Sequence, residues 1–266
     1  MRSHRVAAHN TATASANKIH DDEVARRYGF GGGLVPGVDV YAYMTHVPAE
    51  AWGRDWLARG SMRARFLSPV YEGDVVTVVP GDPVEVDGGP CVPLEVRSEA
   101  GATCAVGHAG LPAEPGTPPE VASVPGVARS ERPDADPASL APGTALAVAP
   151  ERWVAADAGP YLADVREDLA LYAAERVAHP AWVLRRANDV LGSNVRLGPW
   201  IHVESEVRHH APVADGDAVD TRATVTREWE HKGHRFVELD VGVFASGRLA
   251  ARIVHTAIYR PRQVSA

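Results

Sequence analysis

Apolar and polar positions fall into two blocks, and each block opens with a helical stretch and continues as strand-like runs. In the first, Val35 to His46 carries Val38, Val40, Tyr41, Tyr43 and Met44 behind a Pro36-Gly37 entry, which predicts a buried helix. Four runs follow it, Arg63 to Leu67, Asp74 to Val79, Pro90 to Arg97 and Ala102 to His108. Turn signals at Glu72-Gly73, Asp87-Gly88-Gly89 and Ala100-Gly101 separate them. The second block repeats the order, with a helix over Pro180 to Leu191 and strands near Trp200–His209, Ala218–Glu228, Arg235–Phe244 and Arg248–Tyr259. Between the blocks, from Leu111 onwards, prolines recur without helical or strand periodicity and predict a partly extended linker. The organisation expected is therefore an N-terminal unit over 1–110, a linker over 111–145 and a C-terminal unit over 146–266.

The blocks also share local sequence. Pro69-Val70-Tyr71-Glu72-Gly73-Asp74 matches Pro212-Val213-Ala214-Asp215-Gly216-Asp217 as Pro-Val-x-x-Gly-Asp at an offset of 143 residues, and the helix-opening Pro36 and Pro180 lie 144 apart. Two markers at nearly one offset indicate an internal duplication. A central helix wrapped by an antiparallel sheet, present twice, predicts an α+β double hotdog whose sheets join edge to edge. A site at the seam between the copies is the corollary.

Composition narrows the function. The chain of 266 residues is 45% hydrophobic and 23% charged, with a net charge of −7, which suits a globular protein and offers no attraction to nucleic acid or anionic membranes. No apolar run is long enough to span a bilayer and no secretory signal core is present, so a cytoplasmic protein is expected; Met1 to Lys18 only faintly imitates a transit peptide. Cys91 and Cys104 read as reduced packing residues. Several histidines of the second block, His202, His209, His210, His234 and His255, lack metal-ligand spacing, so no metal is expected. Gly31-Gly32-Gly33 lacks dinucleotide or phosphate-loop spacing, and no cofactor is implied.

The segment from Ser15 to Gly37 resembles the MaoC-like (R)-specific enoyl-CoA hydratase and dehydratase family. That family reads Asp-x-Asn-Pro-x-His-x-Asp, then Ala, then Gly-Phe, then a glycine entering the central helix. Asn17, His20, Asp22, Ala25, Gly29-Phe30 and Gly37 occupy those positions, while Ser15 stands in place of the Asp and Lys18 in place of the Pro. The resemblance implies a hydro-lyase acting on a 3-hydroxyacyl or 2-enoyl thioester, carried by coenzyme A or an acyl carrier protein.

Such a reaction needs an acid–base group, for which the near-neutral imidazole of His20 is the candidate, with Asn17 positioning it or the water. It also needs donors for the developing thioester oxygen, and the amide of Gly37 at a helix N-terminus supplies one. Gly33, Val35 and Pro36 are candidates for lining the substrate path, the glycine by close backbone approach. Ser15 occupies the partner position, and a hydroxyl is no carboxylate at neutral pH. Three readings follow: the acid role moves to Asp21, Asp22 or the second half, the site runs a different acyl or polyketide-like step, or the pocket binds without reacting. Asp39 on the central helix supports a hotdog thioesterase as the rival, or else stabilises the helix dipole. The second block reads as a degenerate copy that completes the acyl pocket, and monomer and homodimer are both open.

Overall fold

The computed structural model describes residues 1–114, 116–118 and 131–263. Within them eleven strands form one antiparallel sheet: β1 (His4–Ala7), β2 (Ser61–Phe66), β3 (Val75–Pro80), β4 (Val84–Val86), β5 (Gly89–Ser98), β6 (Thr103–Gly110), β7 (Ala145–Arg152), β8 (Ile201–His209), β9 (Ala218–His231), β10 (His234–Ala245) and β11 (Arg248–Arg260). The helices are α1 (Asp22–Arg27), α2 (Gly37–Arg59), α3 (Ala158–Asp164), α4 (Leu171–Glu175) and α5 (Pro180–Asn194). The order across the sheet is β1-β3-β5-β6-β2-β8-β11-β10-β9-β7, with β4 paired to β5. The two halves thus mirror one another about the β2–β8 pair, and the architecture is the double hotdog expected.

The repeat reaches individual hydrogen bonds. Asp74 accepts from the Tyr71 amide at 2.9 Å, and Asp217 accepts from the Ala214 amide at 2.8 Å. Val35 N–H donates to Val70 at 2.8 Å, as Ala178 N–H does to Val213. Each pair of contacts lies 143 residues apart, and Gly73 and Gly216, at φ 79° and 85°, form the same left-handed turn. At the seam Ala64 faces Ser205, and Arg63 pairs with Glu204. One core cluster runs from Val6 to Tyr259 across both halves.

Helix α2 is apolar on every side, since Val38, Tyr41, Tyr43, Met44, Val47, Ala49, Trp56 and Leu57 are all buried. Burial carries it past His46 and Pro48, and after a kink at Gly53, where φ is 56°, helical turns resume and end at Arg59. Strands β1, β4 and β7 and helices α1, α3 and α4 are short elements outside the predicted periodic runs. Part of the expected linker lies outside the described residues. Its last described stretch is packed rather than free: Arg196 N–H donates to Pro133 at 2.7 Å, and Leu140 is fully buried. Cys104 is buried, Cys91 is partly exposed, and both are free thiols. No helix of the described residues is long and apolar enough to cross a membrane.

Candidate active site

A cavity of about 280 Å³ opens where the N-terminus of α2 meets the seam. Asn17, His20, Val35, Pro36, Gly37, Val40 and Phe66 line it from the first half, and Asn188, Trp200, His202, His234 and Ile258 from the second. Its surface is mainly apolar. A second, outer compartment shares Asn17, His20, Pro36, Asn188 and Trp200 and adds Ser15, Arg185 and Asp189.

Local sequence explains how the loop before α2 is held. Ile19, Ala25 and Leu34 form a small apolar cluster with Tyr28, Phe30, Tyr71 and Ile201 packed on it. Asn17 Oδ1 accepts from the Trp200 amide at 3.1 Å, and its Nδ2 donates to the Trp200 carbonyl at 3.0 Å, which ties the loop to the second half. The buried Asn10, unremarked in the sequence, donates to the His20 carbonyl at 3.0 Å. Gly33 lies outside the cavity lining: a β-carbon there would stand 2.1 Å from the His20 carbonyl oxygen, so this glycine admits His20's own backbone rather than a substrate. Val35, Pro36 and Gly37 do line the cavity. Ser15 faces the outer compartment, where its Oγ accepts from the Asn17 amide at 2.9 Å.

His20 is half-buried. Its Nδ1 meets the Leu34 carbonyl at 2.7 Å, a contact that assigns the proton to Nδ1 and leaves Nε2 as an acceptor, 3.4 Å from Asn17 Nδ2. Burial lowers its pKa below the ordinary 6.5, the Leu34 carbonyl opposes the shift and Arg185 adds to it, so the ring is neutral at pH 7. Asp21 and Asp22 are turned to other tasks: Asp21 caps α1 through the Val24 amide, and Asp22 accepts from Gly33 N–H at 2.8 Å.

Asp39 also points away. Gly37 and Val40 face the cavity, and at 3.6 residues per turn the intervening Asp39 faces α5. There it is fully buried, accepting from Thr11 Oγ1 and Arg185 Nη2, each at 2.6 Å. Arg185 carried no sequence signal, since only the packing of α5 on α2 gives it a partner. Pro36 offers no side chain to cap α2, so the first amides of that helix remain unclaimed by a cap at the cavity wall. The C-terminal counterpart differs, because His179 Nδ1 accepts from the Ala181 amide at 3.1 Å and closes the start of α5.

Cys104 lines the cavity with its thiol pKa pushed up by burial, so it is no thiolate nucleophile. Elsewhere, His46, Glu167 and Asp168 bring three ligand-type atoms within 4.8 Å of one another. Both oxygens of Glu167 are already engaged, by His46 Nδ1 at 3.0 Å, by the Leu169 amide at 2.8 Å and by His179 Nε2 at 3.4 Å.

No protein-family model and no curated protein matches this sequence. Fold comparison places the chain among double hotdog proteins, a class that holds both MaoC-like dehydratases and hotdog thioesterases. A protein of Chloroflexus aurantiacus described as a MaoC domain dehydratase superposes with a TM-score of 0.65 at 11% identity, over 98% of this chain and 95% of its own. A conserved hypothetical protein of Mycobacterium tuberculosis with a double hotdog fold gives 0.61 at 17% identity, over 97% and 96%. A Lactobacillus plantarum protein described as an oleoyl thioesterase gives 0.56 at 11% identity, over 99% and 96%. At these identities the likeness is one of fold.

Proposed function

We propose that the protein is a hydro-lyase that adds water to, or removes it from, an acyl thioester, with His20 as its acid–base group. The observation that carries this reading is a neutral imidazole lining a largely apolar cavity at the uncapped N-terminus of α2, with Nδ1 on the Leu34 carbonyl and Nε2 beside Asn17. In the hydration direction, His20 Nε2 takes a proton from water as the oxygen bonds to C3 of a 2-enoyl thioester. The C2–C3 π pair moves toward the thioester oxygen, which the Gly37 amide and the positive end of the helix stabilise. His20 then returns the proton to C2. Asn17 fixes the ring and the loop, and Asn188, whose Oδ1 is buried without a partner, accepts a hydrogen bond from the water. Ser15 sets the Asn17 backbone and carries no proton in this scheme. The carrier, coenzyme A or a carrier protein, reaches the site through the outer compartment, past Ser15, Arg185 and Asp189.

Thioester hydrolysis is the competing reading, and the fold accommodates it. Its nucleophile or base would be Asp39, whose engagement with Thr11 and Arg185 counts against it. The test incubates purified protein with crotonyl-CoA and (R)-3-hydroxybutyryl-CoA while following the mass of the thioester and free thiol together. A mass change of one water without thiol release is expected, and His20→Ala should lower kcat about 10³-fold. Thiol release without hydration would sink the proposal in favour of hydrolysis. No reaction with either thioester would leave a pocket that binds.

A further inference from the structure

The seam behind the cavity holds a buried polar chain that the scheme above leaves unused. His202 Nε2 lies 2.8 Å from Ser205 Oγ, and the same Oγ lies 2.9 Å from His255 Nδ1. His202 is 6% exposed, and Ser205 and His255 are wholly enclosed. Phe66 meets the His202 ring edge-on with centroids 4.7 Å apart, and the His255 ring lies 4.5 Å away, so the imidazole has one orientation. The far nitrogen of His202, Nδ1, is buried without a hydrogen-bond partner, although the residue lines the cavity. It stands against the start of α2: a β-carbon on Gly37 would come within 3.0 Å of His202 Nδ1 and 3.1 Å of Phe66. Glycine at 37 therefore brings the helix N-terminus and this imidazole together at one wall of the cavity.

We propose that His202, supplied by the C-terminal repeat, is a second electrophile of the site, donating from Nδ1–H to the thioester oxygen beside the Gly37 amide. The inference rests on the hydro-lyase reading and assigns Ser205 and His255 as positioning residues. Burial holds the His202 pKa well below the ordinary imidazole range, and that of His255 at about 3, so each ring is neutral with one N–H. The role of His202 requires donation from His255 Nδ1–H to Ser205 Oγ and from Ser205 Oγ–H to His202 Nε2, which places the His202 proton on Nδ1. A neutral imidazole at a helix N-terminus polarises a carbonyl without surrendering its proton. No bond to His202 forms or breaks: water's oxygen bonds to C3, its proton passes through His20 to C2, and His202 Nδ1–H only shortens its hydrogen bond as negative charge grows on the oxygen. The second repeat thus supplies a donor to the thioester oxygen beside the amide that the first repeat supplies at Gly37.

Two measurements decide this. Ring ¹⁵N NMR of the labelled wild-type protein, with His202 assigned by its loss in His202→Phe, should show the Nδ1–H tautomer, and Ser205→Ala should shift that ring toward a tautomer mixture. A bare Nδ1 in the wild type overturns the inference whatever the activity. Isotope-edited infrared spectroscopy of bound crotonyl-CoA, ¹³C-labelled at the thioester carbonyl, should show a lowered carbonyl frequency that reverts in His202→Phe, with kcat falling about 10²-fold and KM little changed. An unchanged frequency and kcat in that variant would overturn the inference and leave the hydro-lyase reading standing. Failure of the wild-type protein to bind or convert the thioester would instead remove that reading and this inference with it.

Discussion

In the proposed reaction His20 works only while its ring is neutral, and its surroundings set where that condition fails. Burial lowers its pKa from 6.5, so kcat/KM should be flat through neutrality and fall on an acid limb whose midpoint lies below 6.5. A pH–rate profile with its acid midpoint at or above 6.5 would rule His20 out as the base. Gly33 makes a separate prediction. Alanine there drives a methyl into the His20 carbonyl, so Gly33→Ala should lose about 3 kcal/mol in urea denaturation and most activity. Asp39→Asn should cost about 3 kcal/mol by leaving half-buried Arg185 without its carboxylate, while hydration persists in the folded fraction. Asn17, His20 and Gly37 can be named as candidates from the sequence because their spacing is a local property of the loop. Asn10, Arg185 and the Ser205–His255 pair were missed because their partners are brought by tertiary packing, from 10 residues away for Asn10 to 146 for Arg185.

The two central helices meet through polar contacts that hydropathy patterns do not display. Glu167, in the loop after α3, has a side chain only 2% exposed and bridges His46 on α2 to His179 at the start of α5. Burial opposes the charge on His46, yet the hydrogen bond to Glu167 outweighs it and the His46 pKa is raised above 6.5. A group whose pKa is higher folded than unfolded binds more protons in the native state, so its stabilisation is complete below 6.5 and lost as pH rises through the raised value. The melting temperature of the wild type should therefore exceed that of His46→Asn at pH 5.5, and the gap should close by alkaline pH; a constant gap from pH 5.5 to 9 would contradict the ion pair. The same region shows why α2 outran its sequence pattern. Pro48 and Gly53 are local stop signals, but Ala49 is buried beyond the first and Trp56 and Leu57 beyond the second, and tertiary burial carries the helical turns on. The places of the main strands along the chain, by contrast, are legible from alternation and turn residues, because each sheet face sees either core or solvent.

A duplicated fold has two places where a helix N-terminus meets a sheet, yet the copies have diverged so that one remains open. The position 143 residues beyond Gly37 is Pro180, which has no amide proton to donate, and His179 caps the next free amide through Ala181. At that offset the sequence holds Ala163 against His20 and Trp182 against Asp39, the latter ring packed edge-on against Trp153. The pocket remaining there, lined by Tyr161, His179 and Trp182, has neither a free helix amide nor a histidine with an open lone pair. In exchange the second half faces Asn188, Trp200, His202 and His234 into the first half's cavity. Divergence has therefore made the repeats complementary: one holds the acid–base histidine and the helix end, the other the opposing wall. Calorimetric titration of the inactive His20→Ala protein with crotonyl-CoA should then give one site per chain. That site should weaken on Asn188→Leu, a change in the C-terminal half, and should be indifferent to Trp182→Phe, whose ring lines only the second pocket. Two equivalent sites per chain would mean that both helix ends still bind thioester, and the single composite cavity would be the wrong description.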